Sequence, residues 1–419
     1  MNPHVLDELE TRDPAVRERD LMARLPQLVA RAQQAPGWAR ILNGVDAARV
    51  ISRAALAALP ITRKSDLRSL QQLDLPFGGL AATPAGQLRR IYVSPGPIYD
   101  PEGRGRDWWR FARPMFAAGV RPGALLQNCF SYHFTPAAFM VEGGAARIGC
   151  TVIPAGAGQT EMQVQAMADL RPDTYVGTPS FLRIIIEKAR EMGADISSVT
   201  HALMGAEALP ESLRTWFRDN GVPHVFQTYA SADIGSVAYE TASDGVLDPG
   251  MVVDEDVIVE IVRPGSGEPV APGDIGEIVV TLFNQDYPLI RFATGDMSAL
   301  LVDAPAFGCG RTNVRIKGWM GRADQTTKVR AMFVHPAQVA NITRRHPVIV
   351  KARLVVTGRM ANDVMTLHCE VAQPVAQEQV DAIVASIRDV TKLRGEVLLV
   401  APGALPDDGK VIDDLRDYS

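Results

Sequence analysis

The stretch "YVSPGPIYDPEGRGRDWW", residues 92–109, places a serine, glycine-bearing turns and a basic run directly after a short apolar strand. Many folds hold phosphate at such a point, on exposed backbone N–H groups. The three prolines of this stretch carry no N–H, however, and Asp100 and Glu102 would repel an anion. The residue types therefore indicate a phosphate loop whose own donors have been lost.

Further polar residues follow short apolar runs in the middle of the chain. These runs alternate with amphipathic helices, a pattern typical of parallel strands joined by crossover helices. The sheet strands are predicted within "CTVIPAG", "DTYVGTPS", "THALMGAE" and "HVFQTYASAD". Parallel sheets bind ligands at the carboxyl ends of their strands, so "GAE" at 205–207 and "TYASAD" at 228–233 are expected to face one crevice.

The helices between these strands carry their own start and stop residues. "QTEMQVQAMADL" is a predicted helix in which Thr160 and Gln163 have the spacing of a capping box. The next helix is expected to begin at Pro179, which suits a first turn, and to end at Gly193. "PESLRTWFRDN" is the helix before the last of the strands.

The second half of the chain changes character. Residues 251–302 contain "DVIVEIV", "GEIVVTLF" and "SALLV" between Gly and Pro turns, which predicts a β-rich, barrel-like layer. From Asp324 onward, two strands, a helix and a last strand indicate a small mobile α+β domain. The predicted fold class is α/β, with a large domain over residues 1–323 and a small one over 324–419.

Composition restricts the class of protein. The 419 residues are 47% hydrophobic and bear a net charge of −5, with basic and acidic residues interspersed, which argues against a nucleic-acid scaffold. The four cysteines lie far apart without a CxxC pair, so neither a disulfide framework nor a thiolate zinc site is indicated. The amino terminus does not resemble a signal peptide, and no apolar run has the length of a membrane span. We expect a cytoplasmic protein that binds small ligands, with a homodimer left open.

Seven segments together resemble the phenylacetate–coenzyme A ligases of the adenylate-forming superfamily. They occur in family order and run over most of the chain: "LPFGGLAATP" (75–84), "IGCTVIPAGAGQTEMQV" (148–164), "GAE", "YASAD", "LIRFATGD" (289–296), "GRADQTTKVR" (321–330) and "LPDDGK" (405–410).

The resemblance implies a two-step reaction. A carboxylate attacks the α-phosphate of ATP to give an acyl-adenylate and pyrophosphate, and the thiol of coenzyme A then displaces AMP. Both steps pass through crowded anionic states, so fixed cations and N–H donors are expected to carry the catalysis. The implied cofactors are ATP or AMP, Mg²⁺ and coenzyme A, and the implied partner is a small carboxylic acid.

The resemblance also assigns the nucleotide site. Tyr229 matches the aromatic residue that stacks on adenine, although a core tyrosine at a strand end is the alternative. Asp296 matches the aspartate that accepts both ribose hydroxyls, with a turn aspartate as its alternative. Arg322 is expected to reach the ribose or phosphate from the domain hinge. Asp233 stands where the family has a glutamate, one methylene longer, and is the expected magnesium ligand.

A second group of residues is expected to line the nucleotide and acyl pockets. Gly205, Ala206 and Glu207 resemble the segment between these pockets, although Glu207 is equally suited to cap the next helix. His133 and Tyr132 lie where the superfamily has its carboxylate pocket, with structural roles as the alternative.

Lys410 matches the lysine that bridges the carboxylate and the α-phosphate during adenylation. A lone lysine near a chain end is otherwise a solvated surface residue, but the preceding "GALPDDG" resembles the family ending. Lysine suits the role because its compact charge can meet two anions at once.

The family's phosphate loop is expected at residues 94–101, where only Ser94 and Gly96 are retained and the lysine is absent. Arg104 and Arg106 lie near enough in sequence to compensate, or they belong to a solvated helix entry. Two functions follow. The first is an ATP-dependent acid–coenzyme A ligase for phenylacetate or another aryl carboxylate. The alternative is a protein of the same fold that binds AMP or an acyl-adenylate, or transfers an acyl group, without using ATP.

Overall fold

The computed structural model describes residues 4–95, 97–302, 308–323, 325, 327–330, 332–358, 363–406 and 410–416. The chain forms two compact units, Met1–Met320 and Gly321–Ser419. Asp324, where the small domain is predicted to begin, lies outside the described residues. Within the described ranges, no helix combines the length and apolar character needed to cross a bilayer.

The α-helices lie mostly in the first unit, where several of them connect the parallel strands of its main sheet. They are α1 (Pro14–Ala32), α2 (Pro36–Ile41), α3 (Arg53–Ala57), α4 (Leu67–Leu73), α5 (Ala112–Ala117), α6 (Ala137–Ile148), α7 (Thr160–Leu170), α8 (Pro179–Met192), α9 (Glu211–Asp219), α10 (Pro336–Arg345) and α11 (Gln377–Thr391).

The strands of the first unit form two larger sheets and two hairpins. They are β1 (Thr62–Arg63), β2 (Arg90–Ser94), β3 (Ile98–Glu102), β4 (Leu125–Asn128), β5 (Thr151–Ile153), β6 (Thr174–Gly177), β7 (His201–Met204), β8 (His224–Ser231), β9 (Gly235–Tyr239), β10 (Ala242–Ser243), β11 (Val246–Leu247), β12 (Met251–Val253), β13 (Val257–Val262), β14 (Gly276–Leu282), β15 (Leu289–Ser298) and β16 (Arg315–Ile316).

The main sheet has eight strands in the order β16-β12-β9-β8-β7-β6-β4-β5. Strands β5, β4, β6, β7 and β8 are parallel, whereas β9, β12 and β16 continue the sheet in antiparallel pairs. The carboxyl ends of β7 and β8 therefore lie side by side, as the sequence predicts for "GAE" and "TYASAD". The predicted α/β fold with a parallel-rich sheet is confirmed.

Helix α8 shows how local sequence fixes these strand ends. Thr178, directly after β6, accepts the N–H of Phe181 on its side chain, and Pro179 occupies the first turn. Gly193 ends the helix with a φ of 63°, a left-handed conformation that glycine adopts without a Cβ clash. Both ends match the prediction from sequence.

The β-rich region forms a four-stranded sheet in the order β1-β15-β14-β13, with no closed barrel in the part of the chain that is described. Strand β1 comes from far upstream and pairs in parallel with β15, Thr62 opposite Phe292 and Arg63 opposite Ala293. Buried Arg291 fixes this arrangement because its guanidinium donates to the carbonyls of Ala57 and Leu59 at 2.6 and 2.8 Å. The segment leading into β1 is thereby held against β15.

Strands β2 and β3 form a tight antiparallel hairpin at the start of the stretch "YVSPGPIYDPEGRGRDWW". Ser94 lies opposite Ile98, so only residues 95–97 remain for the turn. Gln71 of α4 clamps the hairpin, since its side chain donates to the Tyr99 carbonyl at 2.9 Å and accepts the Tyr99 N–H at 2.8 Å. A short strand-to-strand turn therefore lies within residues 94–101, where the resemblance places the family's phosphate loop.

The second unit contains its own sheet and core. Its strands are β17 (Thr327–Val329), β18 (Met332–Val334), β19 (Ile349–Thr357), β20 (Val364–Val371), β21 (Glu396–Val400) and β22 (Ile412–Asp414). The sheet order is β21-β20-β19-β22, and the packed core includes Leu354, Leu367, Ile383 and Ile387. The strands and helix predicted for this tail are all present.

Two local predictions were wrong. Helix α7 begins at Thr160 with Gln159 at its N-cap and without a side-chain cap, so the capping box does not form. Gln163 is instead buried, and it donates to the Gly156 carbonyl at 2.9 Å while accepting from Gln127 at 2.6 Å. The run "SALLV" is no strand of its own, because β15 ends at Ser298.

Candidate active site

The first part of the site joins the end of β8 to β15. Tyr229 donates its hydroxyl to Asp296 Oδ2 at 2.8 Å, and the two residues belong to different sheets of the first unit. The Tyr229 ring is only 8% exposed and packs in the hydrophobic core. Tyr229 thus orients the Asp296 carboxylate, whereas its stacking on adenine stays a prediction.

Trp319 is a site residue that the sequence analysis missed. Its indole Nε1 donates to Asp296 Oδ1 at 3.1 Å, and its side chain is 44% exposed. Each oxygen of the Asp296 carboxylate therefore has a donor that fixes its direction. An exposed aromatic residue two positions before "GRADQ" was the available signal.

The second part of the site is the three-residue turn between β8 and β9. Asp233 lies in this turn, is 1% exposed, and accepts a hydrogen bond from Ser231 Oγ at 3.1 Å. Its second partner is Lys64, whose ammonium forms a salt bridge with the same carboxylate oxygen. Lys64 follows β1 directly, so the pairing of β1 with β15 delivers this lysine to the strand ends.

Lys64 lies in a strongly acidic environment. Burial disfavours its charge, but the attraction of Asp233, and then of Asp100 and Asp296, outweighs burial and raises the pKa of the Lys64 ammonium. Lysine 64 is therefore charged at neutral pH. The sequence alone does not indicate a role for Lys64, because its partners lie far away along the chain.

Asp100 occupies the side of β3 that faces this lysine. It is 1% exposed, accepts a hydrogen bond from the Ser94 hydroxyl, and lies close to Asp233. Burial, and then repulsion from Asp233, raises the pKa of Asp100 well above its usual value. Ser94 is thus engaged with Asp100, and Gly96, the other predicted phosphate contact, lies outside the described residues.

The basic residues after the hairpin, Arg104 and Arg106, bond to backbone carbonyls outside the hairpin. Arg104 donates to the carbonyl of Gln87 at 3.0 Å, and Arg106 donates to the carbonyl of Arg147 at 3.0 Å. Arg104 therefore bonds to the backbone before the hairpin, and Arg106 bonds to the last turn of α6. This supports the solvated helix entry as the better description of "GRGR".

The predicted acyl pocket begins at the end of β7. Gly205 is buried, and a Cβ at this position would stand 3.5 Å from the Phe130 ring and 3.7 Å from the Thr228 side chain. Ala206 follows with a φ of 65°, which turns the chain away from the strand. This corner lies beside the end of β8, as the sequence predicts.

Tyr132 and His133 lie on the loop after β4. The Tyr132 hydroxyl donates to Glu142 at 2.7 Å and accepts from Asn128 at 2.9 Å, and its ring packs edge-on against Phe139. His133 is exposed and packs against Phe134, whose carbonyl accepts the Val93 N–H of the hairpin at 2.9 Å. Hairpin and pocket loop are thus joined, while contact of either residue with an acid stays a prediction.

Glu207 reaches a helix start, although not the expected one. Its carboxylate accepts the N–H of Ser180 at 3.2 Å, in the first turn of α8 rather than of α9. A carboxylate is favourable there because the helix dipole places partial positive charge at the N-terminus. The nucleotide contact predicted for Glu207 is not tested by this bond.

We expect Glu207→Gln to lower the free energy of unfolding by about 0.3–1 kcal/mol, through the loss of this charge–dipole attraction. Urea unfolding of the variant, with the exposed loop variant Glu268→Gln as control, measures the effect. An unchanged midpoint would contradict the helix role. The AMP-induced shift in melting temperature, measured on the same variant, reports separately on nucleotide contact.

The second unit contains the remaining two predicted residues. Lys410 lies two residues before β22, is 54% exposed, and its Nζ lies 3.4 Å from Asp413 Oδ1. Arg322 lies at the beginning of this unit and is half-buried. Their roles in nucleotide binding and adenylation stay predictions.

The donors around Asp233 suit magnesium better than a transition metal. Among the described residues, no group of three or more His, Cys, Asp or Glu side chains is arranged to hold a metal ion. Mg²⁺ commonly uses one or two carboxylates and completes its shell with water and substrate phosphate oxygens. Asp233, with Ser231 beside it, offers such a carboxylate.

The fold and this geometry agree with known proteins. The model of the AMP-binding enzyme family matches residues 117–282. A phenylacetate-coenzyme A ligase from Thermus thermophilus is 31% identical over 416 residues, covering 91% of this chain and 92% of that one. A phenylacetate-coenzyme A ligase from Escherichia coli is 31% identical over 68% of this chain and 65% of that one. The chain belongs to the phenylacetate–coenzyme A ligase family.

A solved structure shares the whole fold. The 2-hydroxyisobutyryl-CoA ligase in complex with 2-HIB-AMP and CoA superposes with a TM-score of 0.81, covering 98% of this chain and 92% of that chain, at 23% identity. The likeness extends through both units of this chain and confirms the fold class.

Proposed function

We propose that the protein is an ATP-dependent acid–coenzyme A ligase that acts on phenylacetate or another aryl carboxylate through an acyl-adenylate. The proposal rests on the arrangement of Tyr229 and Asp296 on β8 and β15, with Asp233 in the turn after β8 and Lys64 directly after β1. This arrangement combines an oriented carboxylate for ribose, a carboxylate suited to magnesium, and a fixed cation. Membership in the phenylacetate–coenzyme A ligase family supports the same reaction.

The first half-reaction forms a bond between the carboxylate oxygen of the acid and the α-phosphorus of ATP. The bond from that phosphorus to the bridging oxygen of the β-phosphate breaks, and pyrophosphate leaves. In the second half-reaction the thiol of coenzyme A attacks the acyl carbon, the thiol proton is lost, and AMP leaves. Thioester, AMP and pyrophosphate are the products.

The residues have distinct proposed tasks. Asp296 accepts the ribose hydroxyls with an orientation set by Tyr229 and Trp319, and Arg322 approaches the ribose or phosphate. Asp233 would hold Mg²⁺, which supplies positive charge to the phosphates when bound. Lys410 joins the carboxylate and the α-phosphate in the first half-reaction.

The acid is proposed to bind between the corner at Gly205 and the aromatic loop after β4. Phe130 borders the side chain-free space at Gly205, and His133 and Phe134 are exposed on the loop. Aromatic rings beside the acid would favour an aryl group over a linear chain. Because ATP and coenzyme A are metabolites of the cytoplasm, a cytoplasmic location is part of this proposal.

Pyrophosphate release tests the proposal directly. The protein is incubated with ATP, Mg²⁺ and a panel of aryl and fatty acids, with and without coenzyme A. We expect pyrophosphate with aryl acids, and a thioester only when coenzyme A is added. AMP binding without pyrophosphate release from any acid would instead favour a protein that binds adenylates without forming them.

A further inference from the structure

Release of pyrophosphate requires positive charge near the β- and γ-phosphates, because the negative charge on these groups increases as the α–β bond breaks. The hairpin turn at 95–97 is short, two of its three residues are prolines, and its loop lysine is absent. Arg104 and Arg106 donate to the carbonyls of Gln87 and Arg147. Another cation must meet the phosphates if the chain uses ATP.

Lys64 is a cation at the required place. Its ammonium forms a salt bridge with Asp233, the proposed magnesium ligand. It is also attracted by the carboxylate of Asp296, the proposed ribose acceptor. If Asp296 holds the ribose and Asp233 holds magnesium, the phosphate chain of ATP runs from the first carboxylate toward the second. Lys64 is 30% exposed, whereas its partner Asp233 is 1% exposed, so the lysine forms the solvent-facing side of the pair.

We propose that Lys64 holds the β- and γ-phosphates of ATP and takes the place of the lysine that the hairpin lacks. This inference rests on the proposed function. A lysine ammonium suits the task, because it is a compact charge with three N–H donors on a flexible stem. One donor on Asp233 is compatible with others on phosphate oxygens.

The acidic residues of the hairpin do not oppose this role. Glu102 is paired with Arg90 at 3.0 Å and accepts a hydrogen bond from Tyr92. Asp100 accepts a hydrogen bond from the Ser94 hydroxyl and lies near the Lys64 ammonium, so this carboxyl also has partners in the fold. Each acidic side chain of the hairpin thus has a polar or charged partner in the fold.

Contacts of the segment that carries Lys64 fix the position of this lysine. Strand β1 pairs with β15, Arg291 holds the carbonyls that precede β1, and α4 directly after Lys64 clamps the hairpin through Gln71. A single upstream segment therefore fixes the lysine and the shortened hairpin together. Such coupling is expected if one replaces the function of the other.

Lys64→Gln tests the inference, since glutamine keeps a donor for Asp233 and removes the charge. We expect the kcat/KM for ATP in pyrophosphate release to fall by roughly 10- to 150-fold, the size of one charge-assisted hydrogen bond. AMP affinity and thioester formation from a preformed acyl-adenylate should stay near wild type. Lys64→Arg, which keeps the charge, should recover part of the loss.

The matched control is Arg63→Gln, which removes the same charge from the neighbouring residue. Arg63 pairs with Glu277 at 2.9 Å, away from Asp233, so its variant should retain the wild-type kcat/KM for ATP. A retained AMP-induced rise in melting temperature shows that Lys64→Gln is folded with its nucleoside site intact.

The inference and the proposed function fail in different ways. If the wild type releases pyrophosphate and Lys64→Gln does so with unchanged kcat/KM for ATP, Lys64 does not hold the phosphates. Equal losses in AMP affinity and in ATP use would also overturn the inference, since they place Lys64 at the nucleoside. A wild type that releases no pyrophosphate overturns the proposed function itself.

Discussion

Replacing Lys410 with alanine is expected to slow acyl-adenylate formation by roughly 10²–10³-fold, the usual cost of removing one fixed donor from a developing anionic transition state. Thioester formation from a preformed acyl-adenylate should remain largely intact. By family resemblance, we expect the small domain to rotate between the half-reactions and to present Lys410 only in the first.

Two separate assays measure this difference: pyrophosphate release from ATP and acid, and thioester formation from a chemically prepared acyl-adenylate and coenzyme A. Lys392→Ala is the matched control, because Lys392 is 69% exposed in the same unit and pairs with Asp389 in the way that Lys410 pairs with Asp413. Equal losses in both half-reactions would remove Lys410 from the adenylation step.

Much of the fold is predictable because the signals are local. The apolar runs that became β6, β7 and β8 are short and bounded by turn residues, and the ends of α8 are marked by Pro179 and Gly193. The capping box at α7 was wrong because Gln163 gains more from buried partners than from the helix start. Tertiary contacts decided that side chain, and no local pattern reports them.

The site was predictable only where its residues lie in compact motifs. "YASAD" and "RFATGD" predict Asp233 and Asp296 as site residues, whose binding roles stay predictions, and the structure adds that Tyr229 bonds to Asp296. Lys64 lies 169 residues from Asp233, on a two-residue strand that pairs with β15. Nothing around Lys64 in the sequence indicates this pairing, so the lysine is visible only in the fold.

The hairpin illustrates a different limit. Its residues predict the loss of the phosphate loop, and the structure has a short hairpin turn there, but the charges of Asp100 and Glu102 were counted as they would be in water. Glu102 is paired with Arg90 and Tyr92, and burial raises the pKa of Asp100. A charge read from sequence is therefore a poor guide to the potential at a buried site.

Nucleotide binding should depend most strongly on Asp296. AMP is expected to raise the melting temperature of the wild type, because a ligand that binds only the folded state stabilises it by mass action. Two charge-assisted hydrogen bonds to ribose contribute about 1.5–3 kcal/mol each. Asp296→Ala should therefore weaken AMP binding by roughly 10²-fold or more and abolish the shift at millimolar AMP.

Tyr229 separates the contribution of orientation from that of contact. Tyr229→Phe keeps the buried ring and removes the donor to Asp296, so it should reduce the AMP shift only in part, whereas Tyr229→Ala should abolish it. Asp274→Ala, an exposed aspartate before β14, is the control for loss of one surface charge. Thermal unfolding with and without AMP, and calorimetric titration of each variant, give the affinities.

If AMP and ATP at millimolar levels both fail to protect the wild type, Asp296 does not anchor a ribose. If Asp296→Ala keeps the full shift, the anchor lies elsewhere on the chain.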